Sequence, residues 1–416
     1  MKPPPLKNDC FSLPPGVEWM PVDDALAHLR QVLRPVVATQ TESIQTAAGR
    51  FLAQDVLAKR SNPPFANSAV DGYGFAGPAL DGVHKLPLLE GRAAAGAPYR
   101  DTVPLGSALR ILTGAFLPDG VDTVVLEEDT SSDASHVGFY GPIKAGANTR
   151  RAGEDVAAGD TLLDQGTHLR PQEIAILAAT GVSDVLVHKR LNVGILSTGD
   201  ELCAVGQRAL DNQIYDANGP MLRGLLDRLG VHPVDLKQAR DDRGKIRQAL
   251  DRASQDVNAI VVSGGASAGD EDHVSALLNE NGAMGLWRVA MKPGRPMAFG
   301  IWNGVPVFGL PGNPVAAFVC ALVFVLPALR LLAGGRWTTP NGYMVPAAFE
   351  KTKKAGRREY LRARIDQNGQ AEVFKSEGSG RISGLSWADG LVELSDGAGQ
   401  IKKGDLVRYL PFLEFA

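Results

Sequence analysis

AIVVSGGASAGDEDH, residues 259–273, is the stretch from which the fold is most readily worked out. It opens with apolar, mostly β-branched residues, which are typical of a short buried strand. A run of small residues follows, and their backbone N–H groups can approach a bound oxyanion because no bulky side chain intervenes. Asp270, Glu271 and Asp272 come next, and residues 273–280 have the pattern of a helix.

Two interpretations of this stretch are open. A phosphate-binding loop that ends in carboxylates needs a cation between the two negative partners. Mg²⁺ suits that position because it accepts carboxylate and phosphate oxygens together. The other interpretation is a glycine-rich turn followed by an acidic residue that caps the helix, and the stretch alone favours neither.

An alternation of strand and helix runs through residues 190–333. It predicts a central doubly wound, mostly parallel sheet with helices on both faces. Ligands bind such sheets at the carboxyl ends of the strands. Three motifs directly follow predicted strands, namely TGDE (198–201), SGGASAGDED (263–272) and LPGNP (310–314). We therefore expect the three motifs to meet at one edge of the sheet.

Changes in composition and in glycine and proline content divide the rest of the chain. The predicted class is α/β multidomain: an N-terminal α/β part with an inserted β-rich module, the central sheet domain, and a small C-terminal β-barrel. The expected parts are a loose tail (1–16), an N-terminal helical and linking domain (17–60 and 146–188), the β-rich inserted module (61–145), the α/β domain (189–334) and the C-terminal β domain (335–416).

The composition argues against several classes of protein. A net charge of −3 over 416 residues gives no general footprint for a nucleic acid or a membrane. Cys10, Cys203 and Cys320 form no C-x-x-C pair, which fits a reducing cytoplasm. The N-terminal sequence has no apolar signal segment. The apolar run 315–329 contains Pro327 and is short for a membrane span, so we expect a buried helix.

Two further groups are candidates for chemistry. Asp71 lies in the loop 61–75, which is dense in Pro, Asn, Ser and Gly, and loops of this length are often functional. The alternative for Asp71 is a turn former. Lys292 and Arg295 lie on the loop MKPGRP, whose prolines stiffen it, and they could hold an oxyanion. The alternative for this pair is an ordinary surface turn.

The motifs also occur in a characteristic order. They are NSAVDGY (67–73), TGA (113–115), RRAGED (150–155), STGDEL (197–202), SGGASAGDED (263–272), MKPGRP (291–296) and LPGNP (310–314). Together they resemble the MoeA family of molybdopterin molybdenumtransferases, which is related to the E domains of gephyrin and of its plant counterpart. The resemblance covers nearly the whole chain, and residues 190–333 are similar to the MogA-like enzymes that adenylylate molybdopterin.

The resemblance implies a reaction and an assembly. Adenylylated molybdopterin and molybdate bind, the pyrophosphate linkage is cleaved with Mg²⁺, AMP leaves, and molybdenum enters the dithiolene. The enzyme is expected to be a cytoplasmic homodimer with four domains per subunit and an active site between the subunits. Transient contact with the adenylyltransferase and with apo-molybdoenzymes is a further expectation, and no nucleic acid or membrane partner is expected.

The resemblance also assigns residues. It gives catalytic roles to Asp71, Thr113, Asp155, Glu201, Asp241 and Asp272. Asp272 and Glu201 are the expected metal ligands, and Asp71, Thr113 and Asp155 are expected to act from the other subunit. The substrate-binding candidates are Ser263, Gly264, Gly265, Ser267, Lys292, Arg295, Pro311, Gly312, Asn313, Pro314, Arg358 and Ser379. Molybdate is expected at Lys292, Arg295, Ser379 and one of Arg357 and Arg358.

Two other functions are compatible with the sequence. One is an enzyme like the molybdopterin adenylyltransferases, which are typically short single-domain chains. The other is a non-catalytic scaffold that binds molybdopterin. The chain also departs from the family at two positions, because Arg295 stands where Lys is frequent and Val70 where Met is common. The first change replaces a compact point donor with a planar fork.

Overall fold

The chain forms two compact units. We call Thr41–Val187 the inserted unit, and Met1–Gln40 together with His188–Ala416 the main unit. The computed structural model describes residues 19–264, 273–280, 284–294 and 296–415, with the backbone alone at 284–287 and 296. The GASAGDED part of the opening stretch therefore lies outside the described residues.

Helix α1, Val22–Val32, belongs to the main unit and precedes the inserted unit in the chain. Two acidic residues in its first turn, Asp23 and Asp24, favour a helix start at this point. Its buried side consists of Val22, Ala25 and Leu29, which recur at helical spacing.

The inserted unit is built from short strands and one helix. Its strands, of which the first and last run across the unit boundary, are β1 Thr39–Ser43, β2 Val56–Leu57, β3 Asn67–Ser68, β4 Gly72–Phe75, β5 Ala79–Ala93, β6 Ala108–Ile111, β7 Thr123–Leu126, β8 Thr130–Ser132, β9 His136–Ile143, β10 Thr149–Arg150, β11 Thr161–Leu163 and β12 Asp184–His188. A 3₁₀ turn covers Glu127–Asp129, and helix α2 is Pro171–Ala179. Proline at the start of α2 lacks an N–H that the first turn would leave unpaired.

Six of these strands form one sheet in the order β7-β4-β6-β5-β9-β8. In strand β4 the backbone of Gly72 passes close to β7, and an added Cβ would lie 1.9 Å from the Val125 carbonyl oxygen. Only glycine fits there. Gly72 also pairs with Ile111 of β6, so Asp71 and Thr113 are brought to the same end of the two strands.

The rest of the main unit first alternates strands and helices and then continues with strands. The α/β elements are β13 Asn192–Thr198, β14 Leu202–Cys203, β15 Ile214–Tyr215, α3 Asn218–Arg228, β16 His232–Ala239, α4 Arg243–Asp256, β17 Ala259–Ser263, α5 His273–Glu280, β18 Met284–Arg288, β19 Met291–Lys292, β20 Pro296–Trp302, β21 Val305–Leu310, α6 Pro314–Cys320 and α7 Leu326–Leu332. The C-terminal elements are β22 Tyr343–Pro346, β23 Lys351–Lys353, β24 Arg358–Ile365, β25 Ala371–Val373, α8 Ser383–Trp387, β26 Gly390–Leu394, β27 Gly399–Ile401, β28 Leu406–Pro411 and a 3₁₀ turn at Phe412–Phe415.

The central sheet has the order β16-β13-β17-β21-β20-β18. Its first four strands are parallel, and β20 and β18 add an antiparallel edge. Ile260 and Val262 share one buried cluster with apolar residues of α4 and α5. Helices α3 and α6 contact each other and the sheet, and they cover the opposite face. The doubly wound, mostly parallel sheet predicted from the sequence is confirmed.

Helix α6, a π turn at Ala321–Val325 and helix α7 form one continuous apolar segment. Its length and hydropathy would allow it to cross a membrane, but 78% of the segment is buried inside the protein. It is therefore the core helix that the sequence predicts.

The C-terminal region is β-rich, with a sheet of order β19-β24-β26-β28-β22 and β25 paired to β24. Strand β19 comes from the loop MKPGRP of the α/β part, and it pairs in parallel with the start of β24. Lys292 lies beside Glu359 in this pairing. The pairing carries Lys292 away from the central sheet and into the C-terminal sheet.

Candidate active site

Strands β13, β17 and β21 bring the described starts of the three motifs that follow them to the carboxyl edge of the central sheet, as predicted. The strands are neighbours and run parallel, and Ser197, Ser263 and Leu310 lie side by side in one row. The turns after these residues therefore open at the same place. In open α/β sheets this is where ligands bind.

Gly264 is the point of closest approach between two of these turns. Its φ angle is +98°, and an added Cβ would lie 2.5 Å from the Thr198 carbonyl oxygen and 2.7 Å from its Oγ1. Its N–H donates to the Leu310 carbonyl oxygen over 3.1 Å. The position therefore requires glycine for both its backbone conformation and its surroundings.

Asn218, at the start of α3, links two of the motifs and was missed by the sequence analysis. Its Nδ2 donates to Ser263 Oγ and to the Gly312 carbonyl oxygen, each over 2.8 Å. The side chain is buried, with 7% exposed. Asn218 thus fixes the LPGNP turn against the end of β17.

Asp216 holds the start of the same helix. Its Oδ1 accepts from the backbone N–H groups of Asn218 and Gly219 at 3.0 Å, and its Oδ2 accepts from Ser197 Oγ at 2.6 Å. An acidic residue in this place satisfies N–H groups that the first helical turn leaves unpaired. The sequence DANGP (216–220) places an acid and an amide at the start of a helix, and this pattern could have indicated the roles of both Asp216 and Asn218.

Carboxylates collect at the corner formed by the ends of β13 and β16. Glu201 folds back over Gly199, whose added Cβ would lie 2.5 Å from Glu201 Oε2. Asp200 Oδ1 accepts from the backbone N–H of Asp241 over 3.2 Å. The structure therefore brings Glu201 and Asp241, two of the predicted catalytic acids, to one corner.

The remaining predicted ligands of this edge fall outside the described residues. They are Gly265, Ser267, Asp272 and Arg295. Within the described part of the chain, no group of three or more His, Cys, Asp or Glu is arranged to hold a metal ion. Carboxylate oxygens are nevertheless the donors that Mg²⁺ prefers, so the acids at the corner fit this ion in chemical type.

A cavity lies beside the same edge, between β13, β16 and the start of α3. Its volume is about 620 Å³, and Ser197, Asp216, Arg223 and Lys237 are among its lining residues. This volume lies in the range of small-molecule sites, roughly 300–1,000 Å³.

Lys292 lines a smaller cavity of about 220 Å³ within the C-terminal region. The charged residues in its lining are Lys292, Lys351, Arg362, Lys375, Glu350 and Glu377. Lys292 Nζ donates to Glu377 Oε2 over 2.5 Å, and Lys351 donates to the other oxygen of the same carboxylate. Because basic side chains outnumber acidic ones in the lining, the cavity favours an anion.

Arg362 was not among the candidates from the sequence. Its guanidinium donates to the carbonyl oxygens of Ser376, Gly378 and Arg381. The side chain is buried, and this burial lowers the pKa of Arg362 while the nearby Glu377 opposes the shift. Arg362 is thus a buried cation held by neutral carbonyl groups in the wall of the cavity.

Arg358, which was the candidate, has a different environment. Its guanidinium donates to both carboxylate oxygens of Asp23 over 2.7 and 2.8 Å and to Asp396 over 2.9 Å. The hydrogen bond from Arg358 lowers the pKa of Asp23. These partners occupy Arg358, and they join the C-terminal region to α1.

Ser379 belongs to a loop of the C-terminal region that lies beside the start of helix α6. Its carbonyl oxygen accepts from the backbone N–H of Val315, in the first turn of that helix, over 3.2 Å. Pro311 and Gly312 form the turn that leads into this helix, Asn313 is the N-cap residue, and Pro314 occupies the first turn. The LPGNP motif therefore connects the carboxyl edge of the sheet with the loop that Arg362 holds.

The inserted unit brings two other candidates together. The Thr113 N–H and Oγ1 donate to Asp71 Oδ1 over 2.7 and 2.6 Å, and these hydrogen bonds lower the pKa of Asp71. Asp155 lies in a separate group, where its Oδ2 accepts from Asn62 Nδ2 over 2.8 Å. Asp71 and Thr113 were both candidates only through the resemblance to the family. The register of strands β4 and β6 explains why they lie together.

Comparison with known proteins gives matches over most of the chain. Residues 20–181 match the MoeA N-terminal region (domain I and II), residues 194–331 a probable molybdopterin binding domain, and residues 344–412 the MoeA C-terminal region (domain IV).

Named relatives agree with these matches. The chain is 36% identical over 383 residues to the molybdopterin molybdenumtransferase of Haemophilus influenzae, covering 90% of this chain and 94% of the relative. It is 32% identical over 395 residues to molybdopterin molybdenumtransferase 2 of Mycobacterium tuberculosis, covering 91% and 95%. The crystal structure of a molybdopterin biosynthesis MoeA protein from Pyrococcus horikoshii OT3 superposes with a TM-score of 0.81 and 27% identity, over 95% of this chain and all of that one. The chain therefore belongs to the MoeA family of molybdopterin molybdenumtransferases.

Proposed function

We propose that this protein inserts molybdenum from molybdate into adenylylated molybdopterin and releases AMP. Membership of the family assigns it to molybdenum cofactor biosynthesis as a transferase. The single observation that carries the detailed proposal is the cationic cavity of the C-terminal region, which adjoins the start of helix α6 and hence the carboxyl edge of the sheet.

The charge of the cavity suits molybdate, which is a tetrahedral oxyanion. Two like charges 4 Å apart repel by about 4 kcal/mol at an effective dielectric near 20, so an anion held beside a nucleotide needs cations around it. Lys292, Lys351 and Arg362 supply them from three different segments. A volume of about 220 Å³ accommodates a small oxyanion but is below the range of nucleotide-sized sites.

The pterin nucleotide is proposed to lie along the carboxyl edge of β13, β17 and β21. Gly264 and Gly312 carry no side chains there, so a ligand can come close to the backbone, and the start of helix α6 favours negative charge. The neighbouring cavity of about 620 Å³ has the volume that the rest of such a ligand requires.

The chain's own residues then have three tasks. The cations of the small cavity hold molybdate near the dithiolene, and the glycine turns position the phosphates. Glu201 and Asp272 are the proposed holders of Mg²⁺, which would neutralise charge on the pyrophosphate when bound. We further propose a cytoplasmic homodimer in which Asp71, Thr113 and Asp155 act at the site of the other protomer.

The test is an incubation of the purified protein with adenylylated molybdopterin, molybdate and Mg²⁺. AMP release is followed together with the appearance of cofactor that activates an apo-molybdoenzyme. The proposal predicts AMP release that depends on molybdate, with active cofactor formed. Tight nucleotide binding without AMP release would instead indicate the scaffold, and synthesis of the adenylylated species from ATP would indicate the adenylyltransferase.

A further inference from the structure

Glu377 pairs with two of the basic side chains of the small cavity, and one of them, Lys351, also pairs with Glu359 over 3.1 Å. One carboxylate oxygen accepts from Lys292 Nζ at 2.5 Å, and the other accepts from Lys351. The two lysines are themselves largely covered, with 17% and 12% of their side chains exposed. A carboxylate that bridges two covered ammonium groups is in the position that a bound oxyanion would take.

We propose that Glu377 is an internal anion that competes with the oxyanion substrate for Lys292 and Lys351, and so sets the affinity of the site and the charge that an anion needs in order to bind. This inference rests on the proposed function, because it assumes that the cavity is the oxyanion site. It adds an affinity-determining residue that no family motif in the sequence indicates.

The carboxylate can leave without a large rearrangement. Its side chain is 44% exposed, so it can turn towards solvent and be hydrated when it is displaced. The loop that carries it remains held, because Arg362 donates to Ser376 and Gly378 on either side and Ser379 accepts from Val315. Displacement therefore moves a side chain and not the wall of the cavity.

Charge decides which anions can displace it. Glu377 is ionised at neutral pH: burial works to raise its pKa, but the hydrogen bonds from Lys292 and Lys351 outweigh burial and lower it. A divalent oxyanion such as molybdate brings twice the charge of the carboxylate to the same two ammonium groups. A monovalent tetrahedral oxyanion such as perrhenate brings no more charge than Glu377 and has no advantage over it.

Calorimetric titration of the full chain with sodium molybdate and with sodium perrhenate tests this. Glu377→Gln keeps the size of the side chain and removes its charge. The expected result is molybdate binding tighter by roughly twofold to thirtyfold, because the carboxylate no longer offers two ion pairs to the lysines. Perrhenate binding is expected to tighten by a similar factor and to become measurable, because both anions escape the same competitor.

Glu350→Gln is the matched control, because Glu350 lines the same cavity and the structure gives it no ion pair with a lysine among the described residues. Loss of the Glu350 charge should change the affinities for molybdate and perrhenate much less than loss of the Glu377 charge does. Glu377→Asp, which keeps the charge on a shorter side chain, should give intermediate affinities. Thermal denaturation of all variants checks that they fold.

Two outcomes would overturn the inference. Unchanged or weaker molybdate binding by Glu377→Gln would show that Glu377 supports the lysines, and an equal gain in Glu350→Gln would show a general charge effect. AMP release by the wild type is measured in parallel. If AMP release by the wild type depends on molybdate while the Glu377 variants bind both anions like the wild type, only this inference fails. If the wild type releases no AMP, the proposed function fails, whatever the anion affinities of the Glu377 variants.

Discussion

At the scale of single residues, the contrast between Arg358 and Arg362 shows what the sequence can and cannot reveal. Both lie on the same side of strand β24, four residues and about 13 Å apart. The resemblance to the family made Arg358 a candidate for binding molybdate. Its actual partner, Asp23, lies 335 residues away, so nothing local could show that Arg358 is already occupied.

The role of Arg358 can be tested by stability. Arg358→Ala should lower the free energy of unfolding by about 1–3 kcal/mol, because hydrogen bonds to charged partners are lost and Asp396 is left without its guanidinium. Urea denaturation measures the change. A variant as stable as the wild type would contradict the structural role.

Gly264 gives a second prediction at this scale. Gly264→Ala should lower stability by about 1–3 kcal/mol and also lower activity, because its φ of +98° and the Thr198 carbonyl oxygen both exclude a Cβ. Gly312→Ala is the control, since the nearest atom to its added Cβ is 3.9 Å away. Thermal melts compare the two, and equal melting temperatures would contradict the close approach at Gly264.

At the scale of elements, the sheet edge depends on how strand ends are connected. The bounds of the central strands and of helices α1 and α5 follow from apolar periodicity and could be predicted. The connection through Asn218 could not, because a lone asparagine before a helix is more often a cap than a link between two distant loops. The pairing of β19 could not be predicted either, because its partner strand, β24, begins more than sixty residues later in the chain.

Asn218→Ala should therefore weaken binding of the pterin nucleotide as well as stability. Two hydrogen bonds are lost, which corresponds to about 1–3 kcal/mol of unfolding free energy. Asn258→Ala is the matched control, since Asn258 accepts from the Asn192 N–H at the opposite end of β13. Equilibrium binding and urea denaturation of both variants separate the effects. Equal nucleotide affinities in the two variants would contradict a role for Asn218 at the site.

The hairpin between β8 and β9 predicts a pH dependence. Asp133 accepts from the backbone and side chain of Ser135 and from the His136 N–H, which lowers its pKa from 3.8 to about 2. Its contribution to stability is therefore present above pH 3.8 and is lost as the pH falls towards 2. Asp133→Asn should lose less stability over this range than the wild type does.

Urea denaturation at a series of acidic pH values measures this difference. Asp81→Asn, at an exposed position in β5 of the same sheet, is the control and should keep the wild-type dependence. Parallel pH curves for the wild type and Asp133→Asn would contradict the assignment.

At the scale of the whole molecule, the order of the motifs carried more information than any one of them. The fold class and the family could be predicted, because seven short motifs in a fixed order over one chain are specific even when each is weak. The composition of the small cavity could not be predicted, since Lys292, Lys351, Arg362 and Glu377 come from separate segments that the fold brings together.

The proposed homodimer predicts complementation between inactive variants. Asp71→Asn and Glu201→Gln should each abolish AMP release without unfolding the protein. If the inserted unit of one protomer serves the site of the other, co-refolded mixtures should regain about a quarter of the wild-type activity, because half the dimers are mixed and each has one intact site. Mixtures that stay inactive, with mixed dimers present, would contradict the shared site.

The measurement that tests the central claim most directly is the molybdate dependence of AMP release by Arg362→Ala and Arg358→Ala. The account places molybdate in the cavity walled by Arg362 and gives Arg358 a structural task. It predicts that Arg362→Ala needs at least tenfold more molybdate for half-maximal release, roughly 1.4 kcal/mol of lost binding, and that Arg358→Ala keeps the wild-type requirement at a temperature where it is folded. A normal molybdate requirement in Arg362→Ala, with a raised one in Arg358→Ala, would contradict it.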